Sequence, residues 1–299
     1  MSTTRWRTVA IARRKPSFQH GLLVIDKPAG LTSHDVVDQV RRRLGERRVG
    51  HSGTLDPDAT GVLLVGVGTV TRILRFLTDL PKTYTGEVVL GTETNTLDAS
   101  GEVTATHDMA GVTLEDARGA VAAHLVGEIL QVPPMVSALK VGGRRLHELA
   151  REGVEVERAP RPVTIYRFDV DDGPEPGVFT ITVQCSSGTY VRTLAADLGH
   201  LLGGGAHLRN LRRTVIGSFG EADAAPVDTA ALLAPAEALR DYGRAVVDEV
   251  GADHVRHGRL LPAFPGAGPW AVVDGDGALL AVYEAHRDGA KPAVVLQGS

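Results

Sequence analysis

The sequence predicts an α+β protein: a large domain of strands and amphipathic helices, then a small β-rich C-terminal domain. Three observations carry this. Apolar runs bounded by turn residues recur through the first 220 residues, between segments whose apolar positions keep helical spacing. Residues 221–238 hold Asp, Ala and Pro without a β pattern, which places a domain boundary there. The tail then shows hairpin signals. With 299 residues, 43% hydrophobic and 23% charged, the chain can bury a sizeable core in one large domain and one small one.

Taken in order, residues 21–26 (GLLVID) read as a short buried strand ending in a Lys27-Pro28-Ala29-Gly30 turn. Ser33 is placed to cap the next helix, where Val36, Val37, Val40 and Leu44 recur on one side and arginines on the other. Residues 61–68 form an apolar strand, and residues 84–91 (YTGEVVLG) another. Thr113 caps a helix reaching about Leu125. Residues 131–160 form a long basic excursion, from Pro133-Pro134 to Pro160-Arg161-Pro162. Strands resume at 163–170 and 178–185, and the second places Phe179, Ile181, Val183 and Cys185 on one face. A helix runs from Val191 to about Leu202 and ends at three glycines. In the tail, residues 270–274 and 279–283 flank a Gly-Asp-Gly turn, and 293–296 add another strand.

The single cysteine, Cys185, excludes an intrachain disulfide and any multi-cysteine metal cluster, and its place in the strand pattern makes it a buried core thiol. No apolar run approaches a membrane span, so neither a membrane partner nor a membrane location is expected, and a reducing cytoplasm fits. The formal charge of −4 hides an asymmetry. Residues 1–80 hold 13 Lys and Arg against 7 Asp and Glu, and the remainder is net acidic. A nucleic-acid partner would therefore bind at a patch. The first 20 residues read as a basic, disordered arm. Arg41-Arg42-Arg43 and Arg47-Arg48 fit either that patch or a solvated helix face.

The most informative stretch is Gly50-His51-Ser52-Gly53-Thr54-Leu55-Asp56-Pro57-Asp58-Ala59-Thr60-Gly61. Asp56 precedes a proline, which pushes its backbone toward extended geometry. Glycines on both sides permit sharp turns and close backbone approach. Such a loop presents a carboxylate outward from a rigid base. Alone, it reads equally as an Asx-type turn with a solvated Asp.

Further blocks settle the choice. GLLVIDKPAGLTSHDVV, RRVGHSGTLDPDATGVLLVGVGTVTR, PKTYTGEVVLG, QVPPMVSALKVGGRRLHELAREGVEVERAPRP, CSSGTYVRTLAADLG and GGGAHLRNLRRT follow one another in this order. Together they resemble the bacterial TruB family of tRNA pseudouridine synthases, over roughly residues 21–220. The tail resembles a short PUA-type domain.

The resemblance implies a pseudouridine synthase fold with a mixed, largely antiparallel sheet in a catalytic domain at 21–238. It also implies an RNA-gripping insert at about 131–160 and a PUA-like domain at 239–299. The implied reaction isomerises uridine 55 in the tRNA T loop, without metal or organic cofactor and without a guide RNA. A monomer is expected. Because the target base is stacked inside folded RNA, it must be flipped out, at a cost of a few kcal/mol. The resemblance assigns Asp56 as the catalytic carboxylate, Arg192 as its cationic partner, and Tyr84 as the group that contacts the uracil and removes its C5 proton. Tyr190 and Leu211 become pocket residues. His51, taken to lie on the same loop as Asp56, would stack in the space the base leaves; base–aromatic stacking contributes about 1–3 kcal/mol, enough to offset extrusion. Lys140, Arg144, Arg145 and Arg151 would hold phosphates, making affinity salt-dependent. An RNA-folding chaperone would use the same grip, but has no use for the Asp56–Arg192 pair. A guide-dependent synthase would lack the insert, and an aspartate glycosidase would need an acid partner that is not evident.

Overall fold

The computed structural model describes residues 19–296, apart from 138, 142, 147, 148, 150, 151, 153 and 155. The chain begins with β1 (Gly21–Lys27), α1 (Ser33–Leu44), β2 (Val49–Ser52), β3 (Thr60–Val67), α2 (Leu74–Asp79) and β4 (Lys82–Leu90). A hairpin of β5 (Thr92–Thr94) and β6 (Val103–Thr106) follows, then α3 (Leu114–His124) and β7 (Gly127–Gln131). The basic excursion holds a second hairpin, β8 (Lys140–Val141) and β9 (Arg144–Arg145). Next come β10 (Arg161–Asp172), β11 (Val178–Cys185), α4 (Val191–Leu201), β12 (Ala206–Ile216) and β13 (Phe219–Gly220). The tail contributes β14 (Gly243–Val246), α5 (Glu249–Arg256), β15 (Leu261–Pro262), β16 (Trp270–Val273), β17 (Leu279–His286) and β18 (Gly289–Val295).

The central sheet runs β1-β3-β12-β4-β11-β10-β7, with β2 beside β3 and β13 beside β12. Its pairings are antiparallel except where β12 meets β3. The expected mixed, largely antiparallel sheet is therefore the one observed. At the parallel junction Gly61 faces Arg213. A Cβ on Gly61, whose φ is +101°, would lie 2.2 Å from the Arg213 carbonyl oxygen, so only glycine allows these strands to meet.

Helices α3 and α4 contribute to one apolar core with β4, β10 and β11, and Cys185 is buried there as its strand pattern predicts. Helix α1 buries Val36, Val37 and Val40 against β1 and β3. Its cap differs from expectation. Thr32 closes a capping box with Asp35, while Ser33 turns inward and is buried. Threonine and serine are both competent caps, and the neighbouring loop decides between them, because it claims the Ser33 hydroxyl.

The tail forms a five-stranded sheet, β14-β16-β17-β18-β15. Its Ala271, Val273 and Val282 share a core with Leu22, Val24 and Leu64 of the central sheet. The segment at the expected boundary is bound to the first strand, with Leu233 exchanging backbone hydrogen bonds with Leu22 at 2.8 and 3.0 Å. The expected arm at residues 1–20 lies outside the described residues up to position 18.

Candidate active site

The Asp56 loop, between β2 and β3, is pinned by donors from three other parts of the chain. The Gly53 carbonyl accepts from Arg213 at 3.1 Å. The Leu55 carbonyl accepts from the Ser33 hydroxyl at 3.1 Å, and the same hydroxyl accepts from the Leu55 N–H at 2.9 Å. The Pro57 carbonyl accepts from Lys27 Nζ and from the Gly30 N–H, each at 2.9 Å. Lys27, wholly buried, also donates to the carbonyls of Pro28 and Leu31. Bonds on both sides of Asp56 thus fix its backbone before any ligand arrives, which is the preorganisation a reactive carboxylate needs.

Arg192, second residue of α4 and 5% exposed, faces that carboxylate: Nη2 lies 3.1 Å from Asp56 Oδ2. The guanidinium is itself held by the Thr96 and Val136 carbonyls, both at 2.9 Å, and by Asp98 Oδ2 at 3.1 Å. Asp98 sits in the turn of the β5–β6 hairpin, where Thr96 and Ser100 also donate to it. Burial raises the Asp56 carboxyl above its ordinary pKa; Arg192 works against that rise and the Asp98 charge adds to it. Burial outweighs the cation, which Asp56 shares with Asp98, so the pairing does not restore an ordinary carboxylate.

Helix α4 starts where it does because Gln131 clamps its N-cap. The buried Gln131 amide accepts from the Tyr190 N–H at 2.8 Å and donates to the Tyr190 carbonyl at 3.1 Å. A bulge in the β12–β4 pairing, with Asn210 at a φ of +53°, sets Leu211 between two cavities. One, of about 290 Å³, brings together Asp56, Tyr84, Tyr190, Arg192 and Leu211. The other, about 460 Å³, also borders the Asp56–Arg192 pair and is lined by Asp98 and Asn210. Burial pushes the Tyr84 phenol above its usual range, and the Arg213 charge beside it pulls the other way.

His51 departs from expectation. It lies in β2, paired with Val65, and lines neither cavity. Its ring meets His34 edge-on, with centroids 5.9 Å apart. Burial, with the charges of His34 and Arg213, lowers its pKa to about 4, so the ring is neutral at physiological pH. The glycines suggest a loop, but residues 49–52 pair antiparallel with the next strand, β3, across the Asp56 loop. Of the basic residues, Lys140, Arg144 and Arg145 form the β8–β9 hairpin. Exposed Arg144 pairs with Glu152. Arg151 lies outside the described residues.

Sequence reasoning missed Lys27, Lys82, Asp98, Gln131 and Arg213. Lys82, 5% exposed, donates to the carbonyls of Thr78 and Leu80. Burial lowers the pKa of both Lys27 and Lys82 to about 8. Two signals were available: a lysine closing an apolar strand, and an Asp between Thr96 and Ser100. Among the described residues no three His, Cys, Asp or Glu side chains are placed to hold a metal, and no helix is long and apolar enough to cross a membrane.

Comparison with known proteins matches three successive family models. The TruB family pseudouridylate synthase N-terminal domain matches residues 41–191. A tRNA pseudouridylate synthase B C-terminal domain matches 192–248, and a tRNA pseudouridine synthase II C-terminal domain 242–297. The chain is 46% identical over 286 residues to tRNA pseudouridine synthase B of Mycobacterium sp. (strain KMS), covering 93% of this chain and 96% of that protein. It is 44% identical over 299 residues to the Rhodococcus jostii (strain RHA1) protein of the same name, covering 96% and 98%. Among solved structures, a chain of a Cbf5-Nop10-Gar1 complex superposes with a TM-score of 0.72 at 23% identity, covering 93% of this chain and 85% of that one. An H/ACA RNP bound to a substrate RNA gives 0.70 at 22%, with the same coverage. At such identities the likeness shows a shared fold.

Proposed function

The chain belongs to the TruB family of pseudouridylate synthases, and on that premise we propose that it isomerises uridine 55 of the tRNA T loop to pseudouridine after flipping the base. One observation carries the reading: an immobilised Asp56 faces Arg192 at the edge of a cavity also lined by Tyr84, Tyr190 and Leu211. Asp56 supplies the carboxylate that cleavage of the glycosidic bond requires. Tyr190 and Leu211 flank the uracil, and Tyr84 takes the C5 proton once the ring has turned. His51, neutral on β2, stacks in the T loop where the base was. Lys140, Arg144, Arg145 and Arg151 hold phosphates, with the insert as a grip on the stem and residues 239–299 as a PUA-like second contact. The chain acts in the cytoplasm as a monomer, without cofactor, and without guide RNA because the insert grips RNA directly.

The test is tritium release from a tRNA transcript labelled at uracil C5, with wild type and Asp56→Asn, followed by mapping of the modified position. Release by wild type alone, at position 55, supports the reading. Absence of release despite salt-sensitive tRNA binding would favour an RNA-folding role and overturn it.

A further inference from the structure

Arg213 is among the largest fully buried side chains, 1% exposed. A guanidinium keeps its charge at physiological pH, and burying one without an anion is strongly unfavourable. Yet among the described residues no carboxylate forms an ion pair with Arg213. Its Nε donates to the Val62 carbonyl at 2.7 Å and its Nη2 to that of Gly53. These bonds tie β12 to β3 and to the Asp56 loop.

What else it faces follows from strand register. Arg213 stands directly opposite Tyr84 in the antiparallel β12–β4 pair. Opposed residues share a face, with Cβ atoms about 5 Å apart. The guanidinium charge bears directly on the Tyr84 hydroxyl. Both side chains line the smaller cavity beside Asp56.

We propose that Arg213 is a positioning residue for proton removal: it holds the Tyr84 oxygen and supplies the counter-charge of the phenolate that takes the C5 proton. The inference rests on the reading of Tyr84 given above. A buried cation without a resting anionic partner acquires one during turnover. In the step, the C5–H bond breaks and its proton goes to the Tyr84 oxygen. The electron pair returns to the ring as the C5=C6 double bond. Tyr84 begins and ends as the neutral phenol: before C5 is deprotonated its own proton passes, by way of solvent, to the ring nitrogen freed by glycosidic cleavage, and the C5 proton replaces it, so the isomerisation balances.

Besides Arg213, the groups around the Tyr84 phenol are Asp56, Arg192, Lys82 and Cys185. The buried thiol is pushed up to about 11 and stays neutral. Lys82, lowered to about 8, loses charge in mildly alkaline solution.

The experiment compares Arg213→Met, Arg213→Lys and Tyr84→Phe with wild type in single turnovers. The tRNA carries uridine, 5-deuterouridine or 5-fluorouridine at the target position. With 5-fluorouridine there is no C5 proton to remove, so its rearrangement to the C-glycoside reads the earlier steps alone and certifies the fold. Arg213→Met is expected to slow uridine conversion about 100-fold, as loss of a preorganised electrostatic donor does. It should reveal a primary deuterium effect and slow 5-fluorouridine rearrangement far less than uridine conversion, the smaller loss being that of its bond to the Gly53 carbonyl. Arg213→Lys should recover part of the loss. Equal losses on uridine and 5-fluorouridine would place Arg213 in glycosidic cleavage or folding and overturn the proposal. Wild-type turnover by Tyr84→Phe would overturn the assignment of Tyr84 and the proposal with it. Inactive Tyr84→Phe beside a fully active Arg213→Met would overturn the proposal alone.

Discussion

Replacing Arg192 with alanine removes four interactions at once: Asp56 and Asp98 at 3.1 Å, and the Thr96 and Val136 carbonyls at 2.9 Å. Unit charges about 4 Å apart attract by about 4 kcal/mol at an effective dielectric of 20. The Asp56 side chain is 41% exposed, and solvent screening roughly halves that figure to about 2 kcal/mol. This corresponds to about thirtyfold in the ratio of ionised to neutral Asp56 or in the stabilisation of charge at the cleavage step. The sign is fixed. Burial already raises the Asp56 carboxyl, and without the cation it rises further. The active carboxylate form, present above that pKa and lost as pH falls through it, retreats to higher pH. Arg192→Ala should therefore lower single-turnover tritium release at pH 7 by about thirtyfold or more, with partial recovery in alkali. Binding to tRNA by filter retention should change less than about threefold, because phosphate contacts elsewhere carry affinity. Wild-type turnover in the variant, or a loss that appears wholly in tRNA affinity, would refute the reasoning.

Three further outcomes are expected. Gly61→Ala should destabilise the protein by about 3 kcal/mol or more, because the new Cβ meets the Arg213 carbonyl at 2.2 Å in a left-handed backbone; urea denaturation reads this. Gln131→Leu strands the N–H of Tyr190, whose carbonyl keeps its bonds from Thr193 and Leu194, at about 1–2 kcal/mol for one unmet, half-buried donor; the same titration, beside turnover, measures it. Cys185, buried and pushed up to about 11, should resist a disulfide reagent in the native state and react once the protein is unfolded; stoichiometric labelling at neutral pH without denaturant would contradict that environment.

What the sequence determined was the part written in local chemistry. Helix α3 begins at Thr113 because Thr and Asp three residues apart close a capping box. Strand β11 alternates because one face is buried, and the Asp-Pro loop between glycines presents a carboxylate through backbone restriction alone. Ordered motif blocks carried the family, and with it Asp56, Tyr84, Tyr190, Arg192 and Leu211, which the fold gathers around one cavity. Tertiary structure decided the rest, because the deciding interactions join residues far apart in the chain. Asp98 reaches Arg192 across 94 positions and Gln131 reaches Tyr190 across 59. Arg213 comes to Tyr84 only through the register of β12 on β4. A contact 22 positions away draws the Ser33 hydroxyl from a capping position to the Leu55 backbone, and pairing with the next strand, rather than local pattern, makes His51 a strand residue. Local pattern says which residues a segment will bury; only packed strands say which charges are buried together, and that sets the electrostatics of the site.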